Sequence, residues 1–200
     1  CLLSAKLLRA ALSIPNDSDL SSAEDAEKFQ ALLHYSSQLR DVDSRLLLEE
    51  DEDLKQTKLL VFWLNIYHAL LVQGKFIIGN QKTMMGFIKF TKDACYEIFR
   101  EPYRDVYSLI DIEHSILRAH SKGNKSGIMK IVTPVYNPKK PKWDFAVPAN
   151  EPRISFVLNT GRVSSLSQVP VFTVDKLYSQ MNRACEQFLS SFVRIQLNKR

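Results

Sequence analysis

Leu59–Val72 reads LLVFWLNIYHALLV, and Asn65 and His68 are its only strongly polar side chains. A helix that is apolar on every side belongs inside a protein or inside a bilayer. This run of 14 residues is shorter than the roughly 20 residues that a bilayer crossing takes. The reading is therefore a buried central helix, spanning about Lys55 to Ile77, with no membrane span. Gly74 and Gly79 punctuate its far end. The acidic run Glu49–Asp53 precedes it as a solvated stretch, placing negative charge where the helix dipole favours it.

Outward from this helix, the chain suggests helices around a small sheet. Leu3, Leu7, Leu8 and Ala11 have helical spacing, and Ile14 to Ser22 breaks it. Ser22, with Asp25 three residues on, starts a second helix through Phe29, Leu32 and Leu39. Met84 to Phe90 suits a short helix or a loop. Cys95–Arg100 alternates as a strand, Pro102 interrupts it, and Tyr103–Tyr107 returns. Ser108 begins another helix, SLIDIEHSILRAH, with Asp111 completing a capping pattern. Residues 120–152 are rich in loops. Arg153–Thr160, RISFVLNT, reads as a strand inside the sheet, followed by Gly161, and Val169–Phe172 as a second strand. Thr173 then caps a long helix with Leu177, Met181, Cys185, Phe188 and Phe192 on one side. Val193–Leu197 could begin a further strand. Helices packed on a small, mainly antiparallel sheet make this an α+β chain. Its divisions are an N-terminal helix and linker over 1–22 and a single α+β domain over 23–200.

Composition narrows the function classes. The 200 residues are 45% hydrophobic and 24% charged, which is ordinary for a globular core. A net charge of +5 is spread along the chain and does not point to nucleic acid. Lys139, Lys140, Lys142 and Trp143 form a basic tip, read as solvated loop. Cys1, Cys95 and Cys185 make no CxxC pair and no zinc spacing, so no metal site and no cofactor are expected. A low, odd cysteine count fits a reducing, cytoplasmic setting. The opening Cys suggests a piece of a longer protein.

Further residues are candidates for chemistry or binding beside the buried pair. His114 stands with Asp111, Ser115 and Arg118 by three- and four-residue spacing, so it could act as a base oriented by Asp111 or Glu113. The plainer reading has its imidazole bonding to backbone. Ser164 follows a strand-turn, where nucleophiles are often displayed, but no GxSxG frame surrounds it or Ser165. Arg118 and Arg153 suit an anion or an acidic partner. Asn65 and His68 share one helix face and must find hydrogen-bond partners, either lining a cleft or holding down the Thr160–Ser165 turn.

Four segments together resemble one family, the domain of unknown function 547. They are FWLNIYHALLVQG at 62–74, YSLIDIEHSILRAH at 107–120, EPRISFVLNTGRVSS at 151–165 and VFTVDKLYSQMNRACEQFL at 171–189. The family pattern has an FWINIYNA helix, a ySLddIEhgiLR helix, a dpRihFALvCGs-like strand and a terminal helix. The resemblance covers most of residues 28–192. It implies an α+β fold and no settled activity. Where the family keeps a His, a Cys and an Asn, it implies a cysteine hydrolase, which needs a thiolate, a base and an orienting group. Here His68 replaces the second Asn of the helix, and Thr160 replaces the Cys that ends the strand. Two functions follow as expectations. One is a non-catalytic interaction or scaffolding module of a larger intracellular protein, with a protein partner. The other is a papain- or transglutaminase-like hydrolase or transferase, active or decayed, centred on His114.

Overall fold

Asp51 starts the central helix by accepting a hydrogen bond from Leu54 N at 3.0 Å, with Glu52 and Asp53 in the first turn. This satisfies one of the free N–H groups that every helix start leaves, and the acidic first turn complements the dipole. In this computed structural model, residues 1–15, 22–48, 51–121, 133–134, 136–160 and 169–193 are described. The central helix runs Glu52–Ile78 and ends where Gly79 adopts φ +88°, its N–H returning to Lys75 O. That backbone conformation carries little penalty only for glycine. At 27 residues the helix is, by length and composition alone, long and apolar enough to cross a bilayer. In this fold every residue of Leu59–Leu71 is buried, as the apolar run demands.

The elements that bury it are named in chain order. Helix α1 (Leu2–Leu12) and helix α2 (Ala23–Ser37) pack together, and α1 lies along the central helix, which is α4. Leu7, Leu8 and Ala11 of α1 have no exposed surface and join the same core as α4. Ser22 caps α2 through Asp25 N, as its sequence suggests. A 3₁₀ turn (Gln38–Asp41) and the short α3 (Arg45–Leu48) lead to α4 and bury Leu39 and Leu47. Helix α5 (Met84–Asp93) is capped by Thr83, and its far end meets α4. Gly74 makes that crossing close: a Cβ there would stand 3.0 Å from Ala94 Cβ and 3.1 Å from the Phe90 ring.

The anticipated hairpin is present. Strands β1 (Cys95–Ile98) and β2 (Asp105–Ser108) pair antiparallel, Cys95 opposite Ser108 and Ile98 opposite Asp105. Phe99 N–H donates to Leu39 O and Arg100 N–H to Val42 O, fastening the end of β1 to the turn after α2. Phe99 has φ +73°, an uncommon region for a bulky residue. Its ring stacks on Phe145 at 4.0 Å and meets Phe62, Trp63 and Tyr107, so packing holds the strained backbone. Trp63 Nε1 donates to Phe145 O at 3.0 Å, giving the buried indole its partner.

Four expectations need correction. Arg153–Thr160 is not a strand. Ile154–Val157 is one turn of helix, α7, with Ile154 and Val157 both buried. Apolar residues three apart serve a helical turn as well as a strand, and no described strand lies beside it to pair. Its backbone bonds stay local, Val157 N to Arg153 O and Leu158 N to Ile154 O. Val169–Phe172 is not a strand either: two side-chain amides, described below, occupy its backbone groups. Thr173 does not cap the last helix, α8, which runs Leu177–Phe192 from Lys176. Thr173 opens the turn before it, through Lys176 N to Thr173 O. Trp143 is also not part of a solvated tip: it is buried, while Lys142 Nζ bonds Val106 O and Asp111 and lies over the Tyr107 and Trp143 rings. The sheet remains small and antiparallel, and the α+β class stands. The possible strand over Val193–Leu197 lies mostly outside the described residues.

Gly74→Val should lower unfolding free energy by about 1–3 kcal/mol, because a branched side chain forces α5 off α4. Urea denaturation checks it, and an unchanged midpoint would contradict the close crossing.

Candidate functional site

Two polar side chains of α4, Asn65 and His68, reach outward from an apolar rod, and each finds backbone. Asn65 has no exposed surface. Its Nδ2 donates to Phe172 O, and its Oδ1 accepts from Phe172 N–H, both at 3.0 Å. The amide thus pairs with Phe172 as a neighbouring strand would. On α8, Gln180 does the same for the flanking residues: its Nε2 donates to Val171 O at 2.8 Å, and its Oε1 accepts from Thr173 N–H at 3.0 Å. The extended segment is held between two helices with no sheet.

His68 is also buried. Its Nδ1 lies 2.7 Å from Leu64 O, and its Nε2 accepts from Asn159 N–H at 3.0 Å. This pair of bonds selects the neutral ring with the proton on Nδ1. Burial pushes its pKa down to about 4; the Leu64 and Val157 carbonyls pull the other way and do not prevail. The Phe172 ring stacks on the imidazole at 6.3 Å. Asn65 and His68 therefore hold the segments on either side of residues 161–168. Thr160 is half-buried just beyond Asn159. Ser164 and Ser165 lie outside the described residues.

The Ser108 helix begins as expected and then changes winding. Ser108 and Asp111 form a reciprocal capping box at the start of α6 (Leu109–Asp111). The chain continues as a π-helical turn over Ile112–Leu117. A π turn is wider than an α turn, and it is often found at functional sites. It breaks the three- and four-residue spacing that put Asp111 beside His114. Asp111 instead bonds Ser108 and, at 3.1 Å, Lys142 Nζ. Glu113 takes the central place: Arg118 Nη2, five residues on, lies 3.5 Å away, and Tyr67 Oη of α4 donates to it at 3.3 Å. His114 Nε2 is 4.0 Å from Glu113 Oε1. Ser115 is buried and donates to Pro134 O at 2.9 Å. Glu113, Tyr67 and Arg118 form the charged cluster next to His114, and only the i, i+5 spacing of Glu113 and Arg118 could have announced it.

Arg153 pairs close by. Its guanidinium takes the nearly buried Glu151 carboxylate in two bonds, at 2.7 and 2.6 Å, and also donates to Asn182. The bidentate bond from Arg153 holds the Glu151 carboxyl below its usual range despite burial. Arg153 is thereby fixed at the start of α7, against the Tyr178 ring. The Cys95 and Cys185 thiols are both shifted upward, mainly by burial, away from the thiolate that a nucleophile needs.

Two measurements check this geometry. Asn65→Ala leaves both Phe172 backbone groups without their partner and should cost about 1–3 kcal/mol per group in urea denaturation. His68 gives a pH signature. Its folded value, near 4, lies below the usual ~6.5 of an unfolded His, so the unfolded chain binds the extra proton between these values. The His68 contribution is complete above pH ~6.5 and falls by about 3 kcal/mol as pH drops towards ~4. His68→Asn should lose that slope whatever its stability at neutral pH. Identical slopes in both proteins would contradict the buried neutral ring.

No curated protein and no solved structure matches this chain. The model of a family described as protein of unknown function, DUF547, matches residues 52–189. That span takes in α4, the hairpin, the π turn, α7 and most of α8, and it covers well over half of the chain. The protein belongs to the DUF547 family.

Proposed function

We propose that this chain is a non-catalytic interaction or scaffolding module of a larger intracellular protein. The observation that carries this reading is the use of its polar residues. Asn65, His68, Asp111 and Arg153, which the sequence offered for binding or catalysis, are each engaged in bonds that hold one segment to another. Thr160 stands where a cysteine mechanism would need its thiol, and burial shifts the Cys95 and Cys185 thiols upward.

The protein-binding face in this reading is the outer end of α8. Leu189, Phe192 and Val193 are exposed there, and the Phe188 ring meets Phe156 edge-on at 5.4 Å and Phe192 at a tilt at 5.0 Å. Leu189 and Val193, like Phe188 and Phe192, are four residues apart and form one stripe. Aromatic anchors of this kind dominate protein interfaces.

One observation favours the second reading, a papain- or transglutaminase-like hydrolase or transferase centred on His114. A histidine beside a carboxylate, on a π turn and partly exposed, has the beginnings of a base and its orienting group. Labelling with fluorophosphonate and chloroacetamide probes separates the two readings. The interaction module gives no labelling that depends on His114. Labelling of the native protein that disappears in His114→Ala overturns it. On the binding side, Leu189→Asp with Phe192→Asp should weaken co-purification with a cellular partner roughly tenfold or more.

A further inference from the structure

Helix α4 leaves the core at its C-terminal end carrying apolar residues into solvent. Ile77 is 61% exposed and Ile78 42%; after the short Gly79–Thr83 connection, Met84 is 58% and Met85 63% exposed. Gly74 meets Phe90 and Ala94 at the far end of α5, so both apolar pairs flank the connection between the two helices. Scattered single apolar residues on a surface need no explanation, but four large ones flanking one short connection do.

Along this stretch of chain the charge has one sign. No acidic residue occurs between Asp53 and Asp93, while lysines stand at 75, 82, 89 and 92. Lys82, Lys89 and Lys92 are exposed, and Lys75 is half-buried. Phe76 touches Phe29 at 5.0 Å, which brings the start of α2 near. Of the acidic residues there, Glu24 and Asp25 are engaged by Lys28, and Glu27 is exposed. Exposed apolar side chains at a helix connection, with ammonium groups along the same stretch, match an anionic lipid headgroup layer over acyl chains: the apolar groups enter the boundary while the lysines stay at headgroup level.

We propose that the Ile77–Met85 tip docks on the surface of an anionic phospholipid membrane, without any segment crossing it. This surface is separate from the α8 stripe, so it stands or falls independently of the protein-binding reading.

Vesicle co-sedimentation of the intact protein tests it, using phosphatidylcholine alone and an equal mixture of phosphatidylcholine and phosphatidylserine. Binding is expected to the mixed vesicles and not to phosphatidylcholine alone, and to weaken as salt is raised. Lys82→Glu and Lys89→Glu should each reduce it by about fivefold or more. Met84→Ser with Met85→Ser should abolish it while circular dichroism and the melting temperature remain those of the native protein, since both residues are exposed. Three results would overturn the proposal: equal binding to both vesicle types, methionine variants that bind like the native protein, or self-association in gel filtration that the methionine variants abolish. The last would assign the tip to a second copy of the chain.

Discussion

An amide inside an apolar helix must find a donor and an acceptor, and Asn65 finds both on one residue. Left unpaired, each buried polar group would cost about 1–3 kcal/mol, a large share of the net stability of a domain. The pairing with Phe172 therefore ties the far part of the chain to α4, across 107 residues of sequence. Gln180 on α8 grips the same segment from the other side. His68 fixes residue 159 in the same way, one helical turn from Asn65. The polar groups of α4 set where the rest of the chain lies, and the apolar groups around them supply the burial.

The π turn after β2 has a second effect on the same core. Widening the winding places Glu113 against Tyr67 of α4 and against Arg118, five residues on. Asp111 is left to cap its own helix and to receive Lys142. The fold thus separates two carboxylates that lie two residues apart. One closes the hairpin and the Lys142–Trp143 segment, and the other forms the charged cluster beside His114.

Much of this architecture was legible in the amino-acid sequence, for particular reasons. The central helix was clear because Leu59–Val72 is apolar on every face, a pattern few other placements satisfy. Ser22 and Ser108 announced helix starts through local capping, and the hairpin showed in its alternation. Arg153–Thr160 misled because a short apolar run fits a strand and a helical turn equally well. Val169–Phe172 misled because its hydrogen-bond partners are side chains, Asn65 and Gln180, that no local pattern reveals. Lys142 and Trp143 looked like a solvated tip because their partners, Tyr107 and Asp111, are more than 30 residues away. Of the candidate site, Asn65 and His68 were legible as buried groups in need of partners, and their partners fell near the anticipated turn. The Glu113 cluster was not, since helical spacing was read as α throughout.

Native-state hydrogen exchange at the amides of Phe172 and Asn159 tests the central claim most directly. If Asn65 Oδ1 and His68 Nε2 hold these N–H groups as the structure shows, both should exchange only through the global unfolding reaction, as slowly as the amides of Leu64 and Ile66 in the middle of α4. Fast exchange at either amide, while α4 itself stays protected, would contradict the account.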